Sequence, residues 1–319
     1  MKKNILINDG ISKIGKETLI KYKFNVIDEH IEQEKLIDFI NTNNIHGILV
    51  RSATQVKQDI IDNCPSIQLI GRGGVGMDNI DVEYAKEKGV YVINTPSASS
   101  ASVAELVFAH LFSMARHTYH SNRTMPLEGD FNFKKLKKNY SSGIELKGKT
   151  LGIIGFGRIG QEVAKTAIGL GMEVLFFDPY MDNCTISIEF YNNSKMSFEL
   201  IKTEFIELLK KSDVLTIHVP KQDKPLIDTK EFKLIKKGAF IINTSRGGIV
   251  NEKLLIEYLN KRHIQCAGLD VYENEPNPNI EILMHEKIAL SPHIGASTLE
   301  AQKRIGVELA EQINSIFNG

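Results

Sequence analysis

The chain has 319 residues, 42% of them hydrophobic and 24% charged, with 39 Lys plus Arg matched by 39 Asp plus Glu. This balance lacks the basic footprint of a nucleic-acid binder or of a protein drawn to anionic membranes, and the length allows two domains with separate cores. Its three cysteines, Cys64, Cys184 and Cys266, are far apart and lack metal-ligand spacing, so reduced thiols in a cytoplasmic protein are expected, without a metal site. Lys2 and Lys3 precede only three consecutive apolar residues, too few for a signal peptide, and no stretch approaches the length of a membrane span.

In chain order, apolar runs at 5–7, 26–27, 47–50, 67–70 and 90–93 read as strands. The stretches 11–21, 31–41, 58–63 and 82–88 read as helices. Such alternation predicts a parallel sheet with helices on both faces. Asn94-Thr95-Pro96-Ser97 breaks the pattern. Residues 102–120, free of Gly and Pro, predict one long helix, and a polar, lysine-rich stretch follows up to Lys147-Gly148-Lys149. Its cluster Lys134-Lys135-Leu136-Lys137-Lys138 reads as a solvated loop. A second alternating unit starts at Thr150, with strands at 151–154, 174–177, 214–218, 240–243, 267–269 and 288–290 and helices filling the gaps, notably 161–170 and 253–259. A final helix spans 299–317. No strand follows it, so it is expected to cross back onto the first domain, with the two crossings forming a hinge.

The sharpest motif is Gly155-Phe156-Gly157-Arg158-Ile159-Gly160, set between a strand and a helix. A second strand then ends at Asp178, 18 positions after Gly160 (178 − 160). Strand, glycine turn, helix, strand and acid is the order that grips an adenine dinucleotide. Gly155 permits the tight turn, Gly157 lets backbone amides approach the pyrophosphate, and Gly160 lets helix and strand pack closely. The helix N-terminus offers N–H groups to the anion. An acid at 178 accepts hydrogen bonds from a ribose diol and repels a 2′-phosphate, which favours NAD over NADP. Gly71-Arg72-Gly73-Gly74-Val75-Gly76 matches the same glycine pattern, but its later strand ends at the uncharged Asn94 (94 − 76 = 18). We therefore expect 71–76 to be a structural or substrate-facing turn.

Three polar residues follow late strands: Arg246 in Thr244-Ser245-Arg246-Gly247-Gly248, Glu275 after Asp270-Val271-Tyr272-Glu273-Asn274, and His293 in Ser291-Pro292-His293. Ligands of parallel sheets bind beyond the carboxyl ends of strands. Oxidation of a 2-hydroxy acid needs a base for the hydroxyl proton, met by a histidine. A carboxylate on the other ring nitrogen fixes the tautomer, and an arginine fork grips the substrate carboxylate. Taken singly, these are plainly read as a loop histidine, a turn arginine and a solvated acid. Their joint occurrence downstream of a dinucleotide turn favours a catalytic site.

On these segments the chain resembles the D-isomer-specific 2-hydroxyacid dehydrogenase family. Within that family it is most similar to the phosphoglycerate dehydrogenase branch, through Val50-Arg51-Ser52-Ala53-Thr54, Gly71 to Asn79, Asn94-Thr95-Pro96 and Gly295-Ala296-Ser297-Thr298. The resemblance implies an α/β fold of two Rossmann-like, doubly wound parallel-sheet domains with a cleft between them. The discontinuous first domain, 1–98 and 294–319, would bind substrate, and 99–293 would bind NAD. It implies catalytic roles for Arg246, Glu275 and His293, and cofactor contacts at the glycine turn, Arg158, Ile159, Asp178, Val219, Thr244, Asp270 and Gly295. Arg51, Arg72 and Gly74 would serve the substrate phosphate, beside Arg246 and His293. Many family members carry Thr where Val75 stands, so one hydroxyl contact to the cofactor is lost here. Ser245, in place of the usual Ala before the arginine, is a milder departure. The implied reaction is NAD-dependent oxidation of 3-phospho-D-glycerate to 3-phosphohydroxypyruvate, the first step toward serine, in a homodimer or homotetramer. Dimers would form through the helix at 102–120. The chain end at Gly319 implies no C-terminal serine-sensing domain. A reductase of hydroxypyruvate or glyoxylate shares every catalytic residue, and a dinucleotide-gated, corepressor-like binding module is the reading from another class.

Overall fold

The computed structural model describes residues 2–319. Two compact units emerge, one built from residues up to Ser102 together with Ala296–Gly319, the other from Val103–Gly295.

In the first unit β1 (Asn4–Ile7), α1 (Lys13–Lys21), β2 (Asn25–Asp28), α2 (Leu36–Thr42), β3 (Gly47–Val50), α3 (Gln58–Asn63), β4 (Leu69–Arg72), α4 (Val82–Glu87) and β5 (Tyr91–Asn94) alternate. The strands form one parallel sheet in the order β2-β1-β3-β4-β5, which reverses direction between β1 and β3. Alternate residues of the central strands point to opposite cores. Leu6, Ile48, Val50 and Ile70 enter one, and Ile5, Ile7, Leu49 and Leu69 the other. A sheet covered on both faces has to read as an unbroken apolar run, which is why its strands stand out in the sequence.

Along the chain, α5 (Ser100–Ala115), α6 (Thr118–Glu128) and α7 (Phe133–Asn139) come next. The single helix expected over 102–120 is therefore wrong at its end. His117 takes a left-handed backbone (φ 56°) and splits it, without a Gly or Pro to mark the break. The lysine cluster at 134–138 lies in α7 and not in a loop.

The second unit continues with β6 (Thr150–Ile154), α8 (Arg158–Gly169), β7 (Glu173–Phe177), β8 (Asn183–Glu189), β9 (Lys195–Ile201), α9 (Phe205–Lys211), β10 (Val214–Ile217), α10 (Thr229–Leu234), β11 (Ala239–Asn243), α11 (Glu252–Asn260), β12 (Ile264–Leu269), α12 (Ile280–Met284) and β13 (Ile288–Leu290). Six strands form a parallel sheet in the order β13-β12-β11-β10-β6-β7. Helices do not fill every gap, because β8 and β9 pair as an antiparallel hairpin. Its alternation of exposed and half-buried residues carries little apolar signal, although Ile186 reaches the core. In α5, Ala104, Val107, Phe108, Leu111 and Met114 form the stripe that packs on this core.

The last helix, α13 (Leu299–Asn318), belongs to the first unit and adds Ala310 and Ile313 to its core. It crosses α1 closely, since a Cβ on Gly15 would stand 2.6 Å from Gly306 Cα. Among the described residues no helix is long and apolar enough to cross a membrane.

Candidate active site

Register alone assembles the edge of the second sheet. Phe177, Ile154, Ile217, Asn243, Leu269 and Leu290 pair successively across β7, β6, β10, β11, β12 and β13. The residues that follow them are Asp178, Gly155, His218, Thr244, Asp270 and Ser291, so one row of six strand ends carries the candidate residues. Ligands of such sheets bind beyond this edge.

The dinucleotide turn fits its proposed occupant. Gly155 has φ +88°, which L side chains rarely adopt, and a Cβ there would collide with His218 O and crowd Val219. A Cβ on Gly160 would collide with Gly155 O, so α8 and β6 pack through it. Gly157 differs, because a Cβ there would meet nothing within 4 Å. The protein's own packing does not ask for a glycine at 157, whereas a ligand lying on the α8 N-terminus does. Arg158 and Ile159 open α8, the first exposed and the second half-buried. Asp178 Oδ2 accepts from Phe156 N at 2.8 Å and Oδ1 from Tyr180 N at 2.9 Å, which fixes the carboxylate beside the turn. Thr244 Oγ1 is buried without a hydrogen-bond partner, an orphan suited to a bound cofactor.

The turn at 71–76 is built differently. Gly71 lies within β4, and bends, a turn and the bridge from Val56 to Ile80 separate it from α4. No helix N-terminus opens at these glycines.

Within the second unit Glu275 and His293 meet, with Nδ1 and Oε2 at 2.7 Å. The second carboxylate oxygen of Glu275 accepts from Tyr272 N at 2.9 Å. Burial raises the Glu275 pKa, but the His293 hydrogen bond, the Tyr272 amide and the charges of His293 and Arg246 outweigh it and hold it below the ordinary glutamate value. A carboxylate accepting from Nδ1–H leaves Nε2 as the basic nitrogen of a neutral ring. Glu273 is not part of this pair. It exchanges hydrogen bonds with Glu252 at the start of α11, Glu252 N to Oε1 at 3.1 Å and Glu273 N to Glu252 Oε1 at 2.8 Å.

Arg246 Nη1 donates to Ser245 O at 2.7 Å. The turn that carries it is laced by Asn243, whose Oδ1 accepts from Ser245 N and Oγ and whose Nδ2 donates to Arg246 O at 2.9 Å. Asp270 is 1% exposed, and its carboxylate accepts from Ser291 Oγ at 2.6 Å, Ile294 N at 2.9 Å and Gly295 N at 2.9 Å. It holds the turn around His293, which itself has φ 54°. Sequence reading passed over Asn243, Glu252, Tyr272 and Ser291 as supports. Their adjacency to motif residues was the available signal.

In the first unit Arg51 follows β3 and Arg72 ends β4, with Val50 paired to Arg72 and Gly73 N donating to Val50 O at 2.8 Å. Asp9 pins the Arg51 turn, accepting from Arg51 N at 2.6 Å, Thr54 N at 3.1 Å and Thr54 Oγ1 at 2.6 Å. Asn79 Nδ2 donates to Arg51 O at 2.9 Å and Thr54 O at 2.7 Å. Gly74, at φ +153°, leaves room for the Arg72 guanidinium.

Comparison with known proteins decides the family. Residues 108–295 match the family described as D-isomer specific 2-hydroxyacid dehydrogenase, NAD binding domain. The chain belongs to that family. It is an NAD-dependent D-2-hydroxyacid dehydrogenase, and NAD is its cofactor. The dehydrogenase is 40% identical to a hydroxypyruvate reductase of Thermotoga maritima over 314 residues, 96% of each chain. It is also 40% identical to a D-3-phosphoglycerate dehydrogenase of Methanocaldococcus jannaschii over 317 residues, 99% of this chain and 57% of that protein's length. The solved structure of a glyoxylate reductase from Paecilomyes thermophila superposes with a TM-score of 0.83 at 26% identity, covering 99% of this chain and 96% of that one.

Proposed function

We propose that this dehydrogenase oxidises 3-phospho-D-glycerate to 3-phosphohydroxypyruvate, the reaction that opens the route to serine, in the cytoplasm and as a homodimer or homotetramer. His293 Nε2 takes the proton of the C2 hydroxyl. Glu275 keeps Nδ1 protonated and stabilises the imidazolium that forms. Arg246 holds the substrate carboxylate and orients C2. Bound NAD supplies the acceptor for the C2 hydride. Asp178 and the 155–160 turn hold the adenosine and pyrophosphate, with Val219, Thr244 and Gly295 along the same edge.

The observation that carries the phosphate reading is the pair of arginines at neighbouring strand ends, Arg72 at the end of β4 and Arg51 just past β3 on a turn pinned by Asp9 and Asn79. Two guanidinium groups suit a phosphate dianion better than a lone hydroxymethyl group. The extensive match to the Thermotoga maritima hydroxypyruvate reductase favours a second reading, reduction of hydroxypyruvate or glyoxylate. Initial rates with 3-phosphoglycerate, glycerate, 3-phosphohydroxypyruvate, hydroxypyruvate and glyoxylate decide between them. Arg51→Ala should lower kcat/KM for the phosphorylated substrate by about 10- to 150-fold, the worth of a charge-assisted hydrogen bond. Equal losses with and without phosphate would reject the phosphate site.

For the oligomer, the exposed apolar side chains Phe112, Met125, Leu127, Phe131 and Phe133 of α5 to α7 and their connection support an interface that involves these helices.

A further inference from the structure

A buried histidine outside the proposed mechanism is connected to the turn that carries His293. His110, on α5, is 6% exposed, and its Nε2 lies 2.8 Å from Ser291 Oγ. Ser291 Oγ lies 2.6 Å from Asp270 Oδ1. The directions of these bonds follow from counting protons. Asp270 also accepts from the amides of Ile294 and Gly295, so it stands as a carboxylate acceptor. The single hydroxyl proton of Ser291 therefore goes to Asp270, and the hydroxyl accepts from His110 Nε2–H. His110 is thereby fixed as the Nε2–H tautomer. Burial lowers its pKa, and the Asp270 charge raises it by less, so the ring is neutral near pH 7. The β12 residue Gly268 makes the space, because a Cβ there would stand 3.0 Å from His110 Cβ.

The three donors to Asp270 bracket His293 at positions 291, 294 and 295, and His293 sits in the left-handed region that disfavours a side chain. Something outside residue 293 has to hold it there so that Nδ1 reaches Glu275. We propose that His110 is a positioning residue for the reaction: its Nε2–H orients the Ser291 hydroxyl onto Asp270, and this chain clamps the 291–295 turn that aims His293. The charged groups involved are Asp270 facing His110, and Glu275, which feels the charge of Arg246, facing His293. The inference rests on the proposed role of His293 as the base.

The test compares His110→Leu, His110→Gln, Ser291→Ala, the double variant His110→Leu/Ser291→Ala and His293→Ala in the full-length enzyme, using the substrate that wild type turns over best. If the clamp operates, His110→Leu and Ser291→Ala lower kcat by about three- to tenfold, the worth of one hydrogen bond. NADH binding by fluorescence stays within about twofold, and the acidic limb of the kcat/KM profile moves to lower pH as Glu275 loses its hold on His293. His110→Gln, which keeps an amide donor, recovers most of the rate. The double variant loses no more than the worse single one, because both act through Asp270. Rates within about twofold of wild type with an unmoved acidic limb, or losses that multiply in the double variant, would overturn the proposal. Should His110→Leu fail to fold, Ser291→Ala and His110→Gln carry the same comparison. An active His293→Ala enzyme would instead refute the assignment of the base itself.

Discussion

Replacing Gly157 by Ala separates what the fold needs from what the cofactor needs. Gly157 is the N-cap of α8 with φ −69° and ψ −162°, a backbone any residue adopts, and a Cβ there meets no atom within 4 Å. Two opposing effects act on the apoprotein. Removing glycine from the unfolded chain stabilises by about 0.4–1 kcal/mol. Alanine caps a helix less well than glycine, at a cost of roughly 0.5–1 kcal/mol. They nearly cancel, so Tm should stay within about 3 °C of wild type. In the proposed binding mode the pyrophosphate meets a different surface. A methyl group in front of the α8 amides holds it off, and the loss of one charge-assisted hydrogen bond, about 1.5–3 kcal/mol, weakens NADH binding by about 10- to 150-fold. Gly160→Ala is the control, since its Cβ collides with Gly155 O inside the fold and overpacking of this kind costs about 1–3 kcal/mol. Thermal melts and NADH fluorescence titrations measure both quantities. NADH affinity unchanged in Gly157→Ala, or an apoprotein melting as early as Gly160→Ala, would refute the reasoning.

Two further outcomes follow from the same geometry. Glu275 has a folded-state pKa below its ordinary value, so its contribution to stability is present above the unfolded value of about 4.3 and is lost as pH falls through the folded one. The Tm difference between wild type and Glu275→Gln should therefore close as pH falls below the unfolded value of about 4.3; a gap that persists in strong acid would contradict the cited shift. Gly15→Ala forces a Cβ to 2.6–2.8 Å from the Gly306 backbone, which cannot yield as a side-chain tip can. Overpacking of about 1–3 kcal/mol should outweigh the gain in helix propensity of about 1 kcal/mol, giving a lower Tm, and a raised Tm would show that α1 and α13 separate easily.

The parts of the molecule legible in its sequence are those whose physical requirement repeats or is local. Doubly covered strands such as Gly47–Val50 must be apolar throughout, and the 155–160 turn compresses three separate demands into six positions. The β8–β9 hairpin escaped because a ribbon exposed on much of its surface has no such demand, and the break after α5 escaped because a left-handed His117 resembles any other helical histidine in one dimension. The strand at 67–70 shifted to Leu69–Arg72 because hydrogen-bond register with β3, and not hydrophobicity, sets its ends.

The same distinction explains why the meeting of His293 and Glu275 could be anticipated while the groups that aim them could not. A strand end delivers its next residue to the sheet edge by register, so Arg246, Glu275 and His293 shared an address in the sequence, each a few residues past a strand. Their supports act by hydrogen bonds between side chain and backbone: the amides of 294 and 295 donate to Asp270, and Asn243 accepts from Ser245 N and donates to Arg246 O; Asp9 does the same for Arg51, accepting from the amides of Arg51 and Thr54. Such bonds need one acceptor at one place and impose no spacing. His110 lies 181 positions from Ser291, and only the packing of α5 against the core beside β12 brings them together. The places of the proposed catalytic groups are therefore set by the order of strands, which sequence reveals, and their orientation by buried polar side chains, which only the packed core reveals.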